Sequence, residues 1–491
     1  MLADTTQALG AINDWVYLWV VIGLLVLVGV VMTVRTRGVQ FRLFGEMVSY
    51  ITRSREGGEG GISSFQAFAI GMATRIGIGN ITGVALAVIL GGPGAVFWMW
   101  MVSLIGMATA FAEATLAQLF KEPAGDGTFR GGPAYYIARG TRSKAFGGVF
   151  AVLLVGTMAV AMPMVQANAI STVAHGSHGI PQAVSALVLA ALTAAVVMGG
   201  VRGVARVAEW LTPLMALGYI LIGLVILTLN LGSIPGFLGQ IFAGAFGLRE
   251  GLAGVAGGVW ATVLNGVRRG LFSNEAGMGT NPNAAATATV RHPVQQGLIQ
   301  SFGVFFDTFF ICTMTAFIIF AAGAGNYLPG VTGPDAAGTL TTGSVLYSLG
   351  GWMAWPMTII VFFFGYSSIL GAYAYAEVNM SYLRAPRWSY RVLRMVTVAC
   401  TGVGAVLALT TVWTLMDTAM ALVTVVNLVA LLMLGRWVVE ALRDYERQRA
   451  AGVEPILDPR ALRRVDTSLL SAAWRADSGP EPEPEVLVGQ D

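Results

Sequence analysis

The chain has 491 residues, of which 55% are hydrophobic and only 11% are charged, and its formal net charge is +3. Soluble globular proteins carry about 25% charged residues, because their surfaces must be hydrated. The composition therefore excludes a soluble enzyme, a disordered chain and a nucleic-acid-binding domain. It predicts an all-α protein that crosses the cell membrane several times.

Ten apolar runs are long enough to cross a bilayer, since a membrane-spanning helix needs about 20 mostly apolar residues. They lie near residues 15–34, 66–90, 94–120, 147–174, 183–200, 208–230, 296–321, 346–380, 393–411 and 414–435. An eleventh stretch, 251–290, is rich in glycine, alanine and asparagine and is only weakly hydrophobic. Hydropathy alone would assign this stretch to a loop.

The distribution of cations decides whether 251–290 crosses, because Lys and Arg are enriched in cytoplasmic loops. Residues 1–13 contain no Lys or Arg, whereas five arginines follow the first span between residues 35 and 55. If 251–290 crosses, 25 of the 29 cations are cytoplasmic, three lie within spans and Arg249 is external. We therefore predict eleven spans, with the N-terminus outside and the C-terminus in the cytoplasm.

These spans divide the chain into three parts. Residues 1–45 are predicted to form an additional N-terminal span and a basic cytoplasmic loop, and residues 46–436 to form the membrane core. Within the core, repeat one covers about 60–231 and repeat two about 250–436. Residues 437–491 are charged and end in alternating Pro and Glu, which predicts a cytoplasmic helix followed by disorder.

Spans two and seven, which would open two sets of five helices, contain the same pattern. It reads RIGIGN at residues 75–80 and EAGMGT at residues 275–280. Each glycine costs a helix interior about 1 kcal/mol relative to alanine. Glycine-interrupted segments at matching positions of two halves indicate the binding site of a transporter. We therefore predict two broken helices; close packing of two unbroken helices is the alternative.

Charged residues within the spans support a polar interior, because each costs at least about 2.5–3.5 kcal/mol at the bilayer centre unless it faces a partner or water. They include Arg75, Glu113, Arg268, Arg269, Glu275, Asp307 and Glu377. We expect Arg75 and Glu275 to pair across a cavity, since they occupy matching positions. For Glu113 and Glu377, ion pairs that lock helices together are an equally good explanation. Arg75, Glu275, Asp307 and Glu113 are the candidates for coupling or ion pairing.

Several longer motifs resemble those of one transporter family. They are GGPGAVFWMW at 91–100, GMA at 106–108, FAE at 111–113, GGPAYY at 131–136, RGLFSNEAG at 269–277, HP at 292–293, QG at 296–297 and DT at 307–308. On these motifs the chain resembles the alanine/glycine:cation symporters, also called sodium:alanine symporters. The resemblance extends from about residue 60 to residue 435, nearly the whole membrane domain.

The resemblance implies a LeuT-type inverted repeat and cation-driven uptake of small neutral amino acids, with Na+ as the coupling ion and no cofactor. The implied substrate pocket consists of Thr74, Gly77, Ile78, Gly79, Asn80, Gln166, Phe272, Gly277 and Ala372. One implied Na+ site uses the carbonyl groups of Ala73 and Ile76 and the hydroxyl groups of Ser367 and Ser368. Asn80, with Ser273 or Asn274, is implied for a second cation.

Broken helices suit this chemistry even without the resemblance. An amino-acid zwitterion needs hydrogen-bond donors for its carboxylate and acceptors for its ammonium group. The free N–H and C=O groups at the interrupted ends of a helix supply both. Sodium prefers hard oxygen ligands, which carbonyl and serine hydroxyl groups provide.

Three positions depart from the family pattern. Ile78 stands where Thr is common, Ala372 where a Trp can close the pocket, and Arg75 where an apolar residue is frequent. The absence of a Trp at 372 predicts a wider pocket that accepts larger neutral side chains. A fixed charge at Arg75 predicts a weakened or replaced cation site, unless the side chain points away to Glu275.

Other functions remain open at this stage. A proton-coupled or uncoupled amino-acid transporter of the same fold is one alternative, and a channel or the permease subunit of an ATP-driven importer is another. The chain has no P-loop of its own, because neither Lys121 nor Lys144 follows a glycine. A membrane enzyme is disfavoured because His175, His178 and His292 are the only histidines and lie at a span end or in a loop.

Overall fold

The computed structural model describes residues 2–53, 62–124, 128–247 and 255–474. This part of the chain is all-α apart from one antiparallel hairpin, β1 (Glu122–Pro123) and β2 (Phe129–Arg130), and an isolated bridge between Ile62 and Ala288. The all-α prediction is therefore confirmed.

The helices of the first half surround an interrupted helix. They are α1 (Leu2–Val16, a π-helical turn Tyr17–Val21, and Ile22–Arg35), α2 (Val39–Arg42), α3 (Phe44–Arg53), α4 (Ser64–Arg75), α5 (a π-helical turn Gly79–Gly83 and Val84–Gly91), α6 (Ala95–Leu119), α7 (Pro133–Gly140), α8 (Lys144–Gly156, a π-helical turn Thr157–Ala161, and Met162–His178), α9 (Gln182–Val197), α10 (Gly200–Leu229) and α11 (Ile234–Ala245). Helix α11, which the sequence did not predict, follows α10 at a bend of 79°.

The second half also begins with an interrupted helix. Its helices are α12 (Val255–Asn274), α13 (Pro282–Ala285), α14 (Pro293–Phe305, a π-helical turn Phe306–Cys312, and Thr313–Ala321), α15 (Ala337–Leu349), α16 (Ala354–Tyr382), α17 (Arg387–Val406) and α18 (Leu409–Ala450). Single 3-10 turns occur at Leu231–Ser233, Gly323–Gly325, Pro334–Ala336, Gly351–Met353, Pro459–Ala461, Thr467–Leu469 and Ala472–Trp474.

Six helices among the described residues are long and apolar enough to cross a membrane, and two bent helix pairs raise the number to eight. An eleven-span arrangement also needs α9, α12 and α17 to cross. Helix α9 is short, with 16 residues, and α12 belongs to the weakly hydrophobic stretch. The first residues of that stretch, 251–254, and the predicted disordered end from residue 475 lie outside the described part.

The two glycine motifs, at residues 75–80 and 275–280, interrupt their helices, as predicted, but their backbone conformations differ. In the second break Gly277 and Gly279 have φ angles of +92° and +79°, a left-handed conformation that glycine adopts without a steric penalty. Glu275, with φ at +55°, shares this conformation despite its side chain. In the first break α4 ends at Arg75, and α5 resumes at Gly79 after a bend of 51°.

The helices pack in two groups that meet at the breaks. Helix α6 packs against α14 and α12, and α12 against α5, which forms one group. Helices α8, α9, α16 and α17 pack against one another as the second group. Helix α4 contacts α14 of the first group and α16 of the second, so the first break lies where the groups meet.

The ordered part of the C-terminal segment extends beyond the helix that the sequence predicts. After α18, residues 451–474 lie against the same end of the molecule as the β-hairpin. Leu470 is 1% exposed, and the indole N–H of Trp474 donates to the carbonyl of Gln118 at 2.8 Å. The ammonium group of Lys121 lies 5.0 Å from the Trp474 ring and 4.0 Å from that of Phe129.

Candidate functional site

The C-terminal end of α4 meets two serines of α16. The Ser367 and Ser368 hydroxyl groups each lie 3.2 Å from the carbonyl oxygen of Ala73 and at 3.1 and 3.0 Å from that of Phe364 in their own helix. The Ser368 hydroxyl group is also 3.4 Å from the carbonyl oxygen of Thr74. The last carbonyl groups of a helix have no intrahelical partner and are free for a donor or a cation. Four of the predicted residues therefore form one buried oxygen cluster. Ile76 is buried one residue beyond the helix end.

Two side-chain amides hold the backbone of the first break. Gln166, on α8, accepts the backbone N–H of Ile78 through Oε1 at 3.2 Å. The Oδ1 atom of Asn80 accepts the N–H of Gly77 at 3.0 Å. The structure thus brings these four predicted pocket residues together, although Gln166 lies on α8 and the other three lie at the break between α4 and α5.

The glycines of the first break are needed for space. A Cβ atom on Gly77 would lie 2.4 Å from Oγ of Ser368, and a Cβ on Gly79 would lie 2.8 Å from the ring of Phe272. Separations below 3.0 Å do not occur for real Cβ atoms. Any larger residue at either position would force the serine or the aromatic ring away from the break.

Phe272 packs against Trp413, an aromatic residue that was not among the predicted site residues. The ring of Trp413, on α18, lies 4.7 Å from the Phe272 ring and 3.6 Å from a Cβ built on Gly83. The Arg269 guanidinium group lies 4.4 Å from the centre of the indole ring. The sequence contains one indication that Trp413 and Asp417 act together. They are four residues apart, which places both on one face of α18.

Buried charges beyond Phe272 are paired. Arg269 contacts the carboxylate of Asp417 at 2.5 Å, and Arg268 contacts that of Asp14 at 2.6 Å. The Arg268 guanidinium group also lies over the Tyr17 ring at 4.5 Å. These contacts attach α1 to α12 and α18, and they pair two of the arginines that the sequence places within spans with carboxylates.

Glu275 is bound by hydroxyl groups. Its Oε2 atom accepts from Thr280 at 2.6 Å and from Thr74 at 3.3 Å, and Thr74 lies 3.1 Å from the Tyr375 hydroxyl on α16. Its Oε1 atom is buried with no hydrogen-bond partner in the described structure. Glu275 therefore links the second break to the first and, through Thr74, to α16.

The predicted ion pair between Arg75 and Glu275 is wrong. Nη1 of Arg75 donates instead to the backbone and side-chain oxygens of Gln300 on α14, at 3.1 and 3.3 Å. The reason is steric, because Gly303 leaves the space that the guanidinium group occupies: a Cβ there would lie 2.5 Å from Nη1. No ion pair within 4.0 Å joins the two charges in the described part of the chain.

The residues implied for a second cation gather around Asp307. Asn80 and Ser273 donate to its two carboxylate oxygens at 2.6 and 2.7 Å. Thr308 lies 3.4 Å from the same carboxylate, and its hydroxyl group accepts from Asn274 at 3.4 Å. Asp307 lies in the π-helical turn of α14, and the sequence did not indicate that it is the common partner of these residues.

Glu113 and Gly277 form a separate contact. Glu113, on α6, accepts the backbone N–H of Gly277 and the side-chain amide of Asn427, and it has no cationic partner among the described residues. The ion-pair explanation for Glu113 is therefore wrong. A Cβ on Gly277 would meet Leu25 and Leu428, both at 3.1 Å, and no predicted pocket residue is among its three nearest contacts.

Ala372 follows Ser368 by four residues on α16, so that the two share one face of the helix. Ala372 is completely buried. The preceding Gly371 approaches α4 so closely that a Cβ would lie 2.3 Å from the methyl group of Thr74. The face that carries Ala372 therefore lies along α4.

Two packed helix groups that meet at interrupted helices, with buried oxygen atoms between them, define a multi-helix membrane transport protein. The chain belongs to the sodium:alanine symporter family, whose model matches residues 2–459.

Several named relatives match most of the chain. The probable sodium/glutamine symporter GlnT of Bacillus subtilis is 41% identical over 91% of this chain and 92% of its own. The sodium/alanine symporter AgcS of Methanococcus maripaludis is 35% identical over 91% and 98%, respectively. The sodium/proton-dependent alanine carrier protein of Bacillus sp. strain PS3 is 35% identical over 83% and 93%.

Proposed function

We propose that this protein is a secondary active transporter that carries a small neutral amino acid into the cell together with Na+. The observation that carries the proposal is the approach of the Ser367 and Ser368 hydroxyl groups to the free carbonyl group of Ala73. Oxygen ligands of this kind suit Na+. Because they come from α4 of one helix group and α16 of the other, an ion bound there would hold the two groups together.

The proposed topology has eleven spans, with the N-terminus outside the cell and the C-terminus inside. Eight of these spans are the long apolar ones described above. Helices α9, α12 and α17 bring the number to eleven. The N-terminal span and basic loop cover residues 1–45, and a LeuT-type 5+5 inverted repeat occupies 46–436. The matching breaks at the start of each repeat support this arrangement.

The proposed substrate pocket lies at the first break. The N–H groups of Gly77 and Ile78 are bonded to Asn80 and Gln166, so a substrate carboxylate would meet the N–H groups that begin α5, and the carbonyl end of α4 offers acceptors toward an ammonium group. Gln166 and Asn80 hold that backbone in its unwound conformation. Phe272 covers Gly79, and Trp413 lies behind Phe272. Thr74, Ile78 and Ala372 complete the proposed set, from which Gly277 is removed because it faces Leu25 and Leu428.

A second cation is proposed at Asp307, with Asn80, Ser273 and Asn274 nearby. Its carboxylate is buried and has only neutral hydrogen-bond donors around it. A buried charge with no opposite charge is costly, so an ion at this position would lower the free energy of the ionised carboxylate.

The same geometry favours proton coupling as the second candidate. Glu275 and Asp307 are both completely buried, and the Oε1 atom of Glu275 has no partner among the described residues. A proton would neutralise either carboxylate as well as Na+ would. The relative from Bacillus sp. strain PS3 carries the words sodium/proton-dependent in its name.

The substrate is proposed to be alanine or glycine, or a larger neutral amino acid. Ala372 provides less bulk on the α16 face than a Trp would, which favours the larger side chains. The names of the relatives, one for glutamine and others for alanine, are compatible with either size.

Uptake by the purified protein in lipid vesicles tests the proposal. Labelled alanine and glutamine would be supplied outside, with an inward Na+ gradient and no ATP. We expect accumulation that collapses when an ionophore dissipates the Na+ gradient. Accumulation driven by a pH gradient in K+ buffer would identify proton coupling, and equilibration without accumulation would identify a channel or an uncoupled carrier. A requirement for ATP and a second protein would contradict the proposal.

A further inference from the structure

A cavity of about 580 Å³ opens beside the ends of α8 and α16, away from the two breaks. Its wall is formed by the β-hairpin, by α7, by the first turns of α8 and by the last turn of α16. The charged lining residues are Glu122, Arg130, Arg139, Lys144 and Arg384. The lining thus carries four cations and one carboxylate.

The one carboxylate is already paired. Nη2 and Nε of Arg139 contact Oε1 of Glu122 at 2.6 and 2.9 Å. Arg130 donates to the neutral hydroxyl group of Ser381 at 2.8 Å. Arg130, Lys144 and Arg384 have no carboxylate within ion-pair distance among the residues that the structure describes. Among the described residues these three cations around one cavity therefore have no carboxylate partner, and an anion would relieve their mutual repulsion.

The cavity lies where two apolar helices emerge from the membrane. Helix α8 begins at Lys144 and is apolar immediately afterwards, and α16 ends at Tyr382. The rings of Tyr135 and Tyr382 lie edge to face at 5.2 Å in the cavity wall. Tyrosine is enriched at the level of lipid headgroups, which agrees with this position.

An exposed apolar stripe leads from the cavity along α8. Residues 144, 148, 152 and 156 follow one another at four-residue spacing and share a helix face. Gly148 lines the cavity, and Val152 is 60% exposed. A Cβ on Gly148 or Gly156 would meet nothing within 4 Å, so the helix surface is shallow at both positions. The cations of the cavity and the shallow groove along α8 together fit one amphipathic molecule, with its charged headgroup at the cations and its apolar chain in the groove.

We propose that this cavity, the α8–α16 cavity, binds the phosphate headgroup of an anionic phospholipid whose acyl chain lies along Gly148, Val152 and Gly156. Basic pockets between membrane helices bind such headgroups at the cytoplasmic surface. Arginine suits the task because its planar guanidinium group binds phosphate oxygens in pairs. The lipid would contact the hairpin beside α6 and the end of α16, and hence both helix groups.

Native mass spectrometry of the full-length protein tests the proposal. The protein would be extracted from vesicles of phosphatidylglycerol and phosphatidylcholine, and the retained lipid counted. We expect retention of phosphatidylglycerol in preference to phosphatidylcholine. Arg130→Gln and Arg384→Gln should each weaken retention by about fivefold, as expected for one cation near a lipid surface. Arg387→Gln and Arg391→Gln are matched controls, since both arginines are exposed and lie outside the cavity.

A second variant separates a lipid from a free phosphate ion. Gly148→Leu fills the start of the groove and leaves every cation in place, so it should reduce lipid retention without changing the effect of inorganic phosphate. Equal retention of both lipids would overturn the proposal, and so would equal losses in the control variants. Displacement of the lipid by millimolar phosphate in the wild type would identify a soluble anion as the ligand instead. The thermal unfolding midpoints of all variants would be compared to confirm folding.

Discussion

The carboxylate of Glu113 accepts a hydrogen bond from the backbone N–H of Gly277 at 3.2 Å. It also accepts the N–H of Gly279 at 3.0 Å and the side-chain amide of Asn427 at 2.5 Å. Both glycines have left-handed backbone conformations, so neither N–H continues a helix. The sequence suggested that Glu113 forms an ion pair between helices. In the structure its carboxylate instead holds the unwound backbone of the second break.

Glu113→Gln should destabilise this break. The substitution preserves size but removes the charge, and its amide group can present only one oxygen to two N–H donors. Hydrogen bonds to charged groups contribute about 1.5–3 kcal/mol each. We expect a lower thermal unfolding midpoint and reduced alanine uptake. Glu454→Gln, at a partly exposed ion pair with Arg291, is the control and should change neither.

Ser368→Ala tests the first cation site. It removes one oxygen atom from the cluster around the carbonyl of Ala73 and leaves the other residues in place. Loss of a contact of about 1 kcal/mol should raise the half-saturating Na+ concentration about fivefold. Ser348→Ala should not change it, because the Ser348 hydroxyl group donates to the carbonyl of Ser344 in its own helix. An unchanged Na+ dependence in Ser368→Ala would remove this serine from the site.

The helix breaks were predictable because a local signal, two glycines at matching positions, determines them. Tertiary partners were not predictable in the same way. The sequence placed Arg75 and Glu275 at matching positions, but the space beside Gly303 directs the arginine to Gln300. Which neighbour receives a long side chain depends on packing between helices that are distant in sequence.

Trp413 and the residues after α18 illustrate the same limit. Trp413 stands just before the predicted span 414–435, in a position with no motif of its own, and only the fold places it against Phe272. The charged composition of 437–491 predicts exposure, yet Leu470 is buried and Trp474 is bonded to Gln118. A few apolar side chains are enough to anchor an otherwise polar segment.

Gln166→Ala should weaken substrate binding. The amide oxygen accepts the N–H of Ile78, and its loss leaves a buried donor unpaired at a cost of about 1–3 kcal/mol. We expect the half-saturating alanine concentration to rise by about 5- to 150-fold. Asn168→Ala is the matched control, because the Asn168 amide donates to the carbonyl of Leu407 at 2.7 Å and so joins α8 to the end of α17. Asn168→Ala should lower the thermal unfolding midpoint and leave the half-saturating alanine concentration unchanged. The same result for Gln166→Ala would show that Gln166 only packs helices.

Lys121 should make stability depend on pH. Burial lowers the pKa of Lys121 to about 7, against about 10.4 in an unfolded chain. Between pH 7 and pH 10 the unfolded chain therefore holds a proton at this position that the folded chain has released. The free energy of unfolding should rise with pH in this window, by at most about 1.4 kcal/mol per pH unit, and this contribution should be constant below pH 7.

Thermal unfolding of the wild type and of Lys121→Met, measured from pH 6 to pH 10, would isolate this contribution. The wild type should gain stability relative to the variant as the pH rises above 7. Lys144→Met, at an exposed lysine, should follow the wild type at every pH. Parallel curves for the wild type and Lys121→Met would show that the ammonium group keeps its ordinary pKa.

The size of the substrate pocket can be tested from two sides. Trp413→Leu removes the ring that supports Phe272, so glutamine should compete with labelled alanine about tenfold better, within the range that one or two methylene groups contribute to selectivity. Trp437→Leu is the control and should leave the ratio unchanged, because Trp437 lies on the same helix but packs edge to face against Phe120, with 4.9 Å between the ring centres. Ala372→Trp should act in the opposite direction, because it adds bulk on the face of α16 that lies along α4, and should reduce glutamine inhibition while sparing alanine and glycine uptake. If the native protein shows no inhibition by glutamine, the wide pocket is wrong; if Ala372→Trp reduces uptake of all substrates equally, position 372 does not determine size.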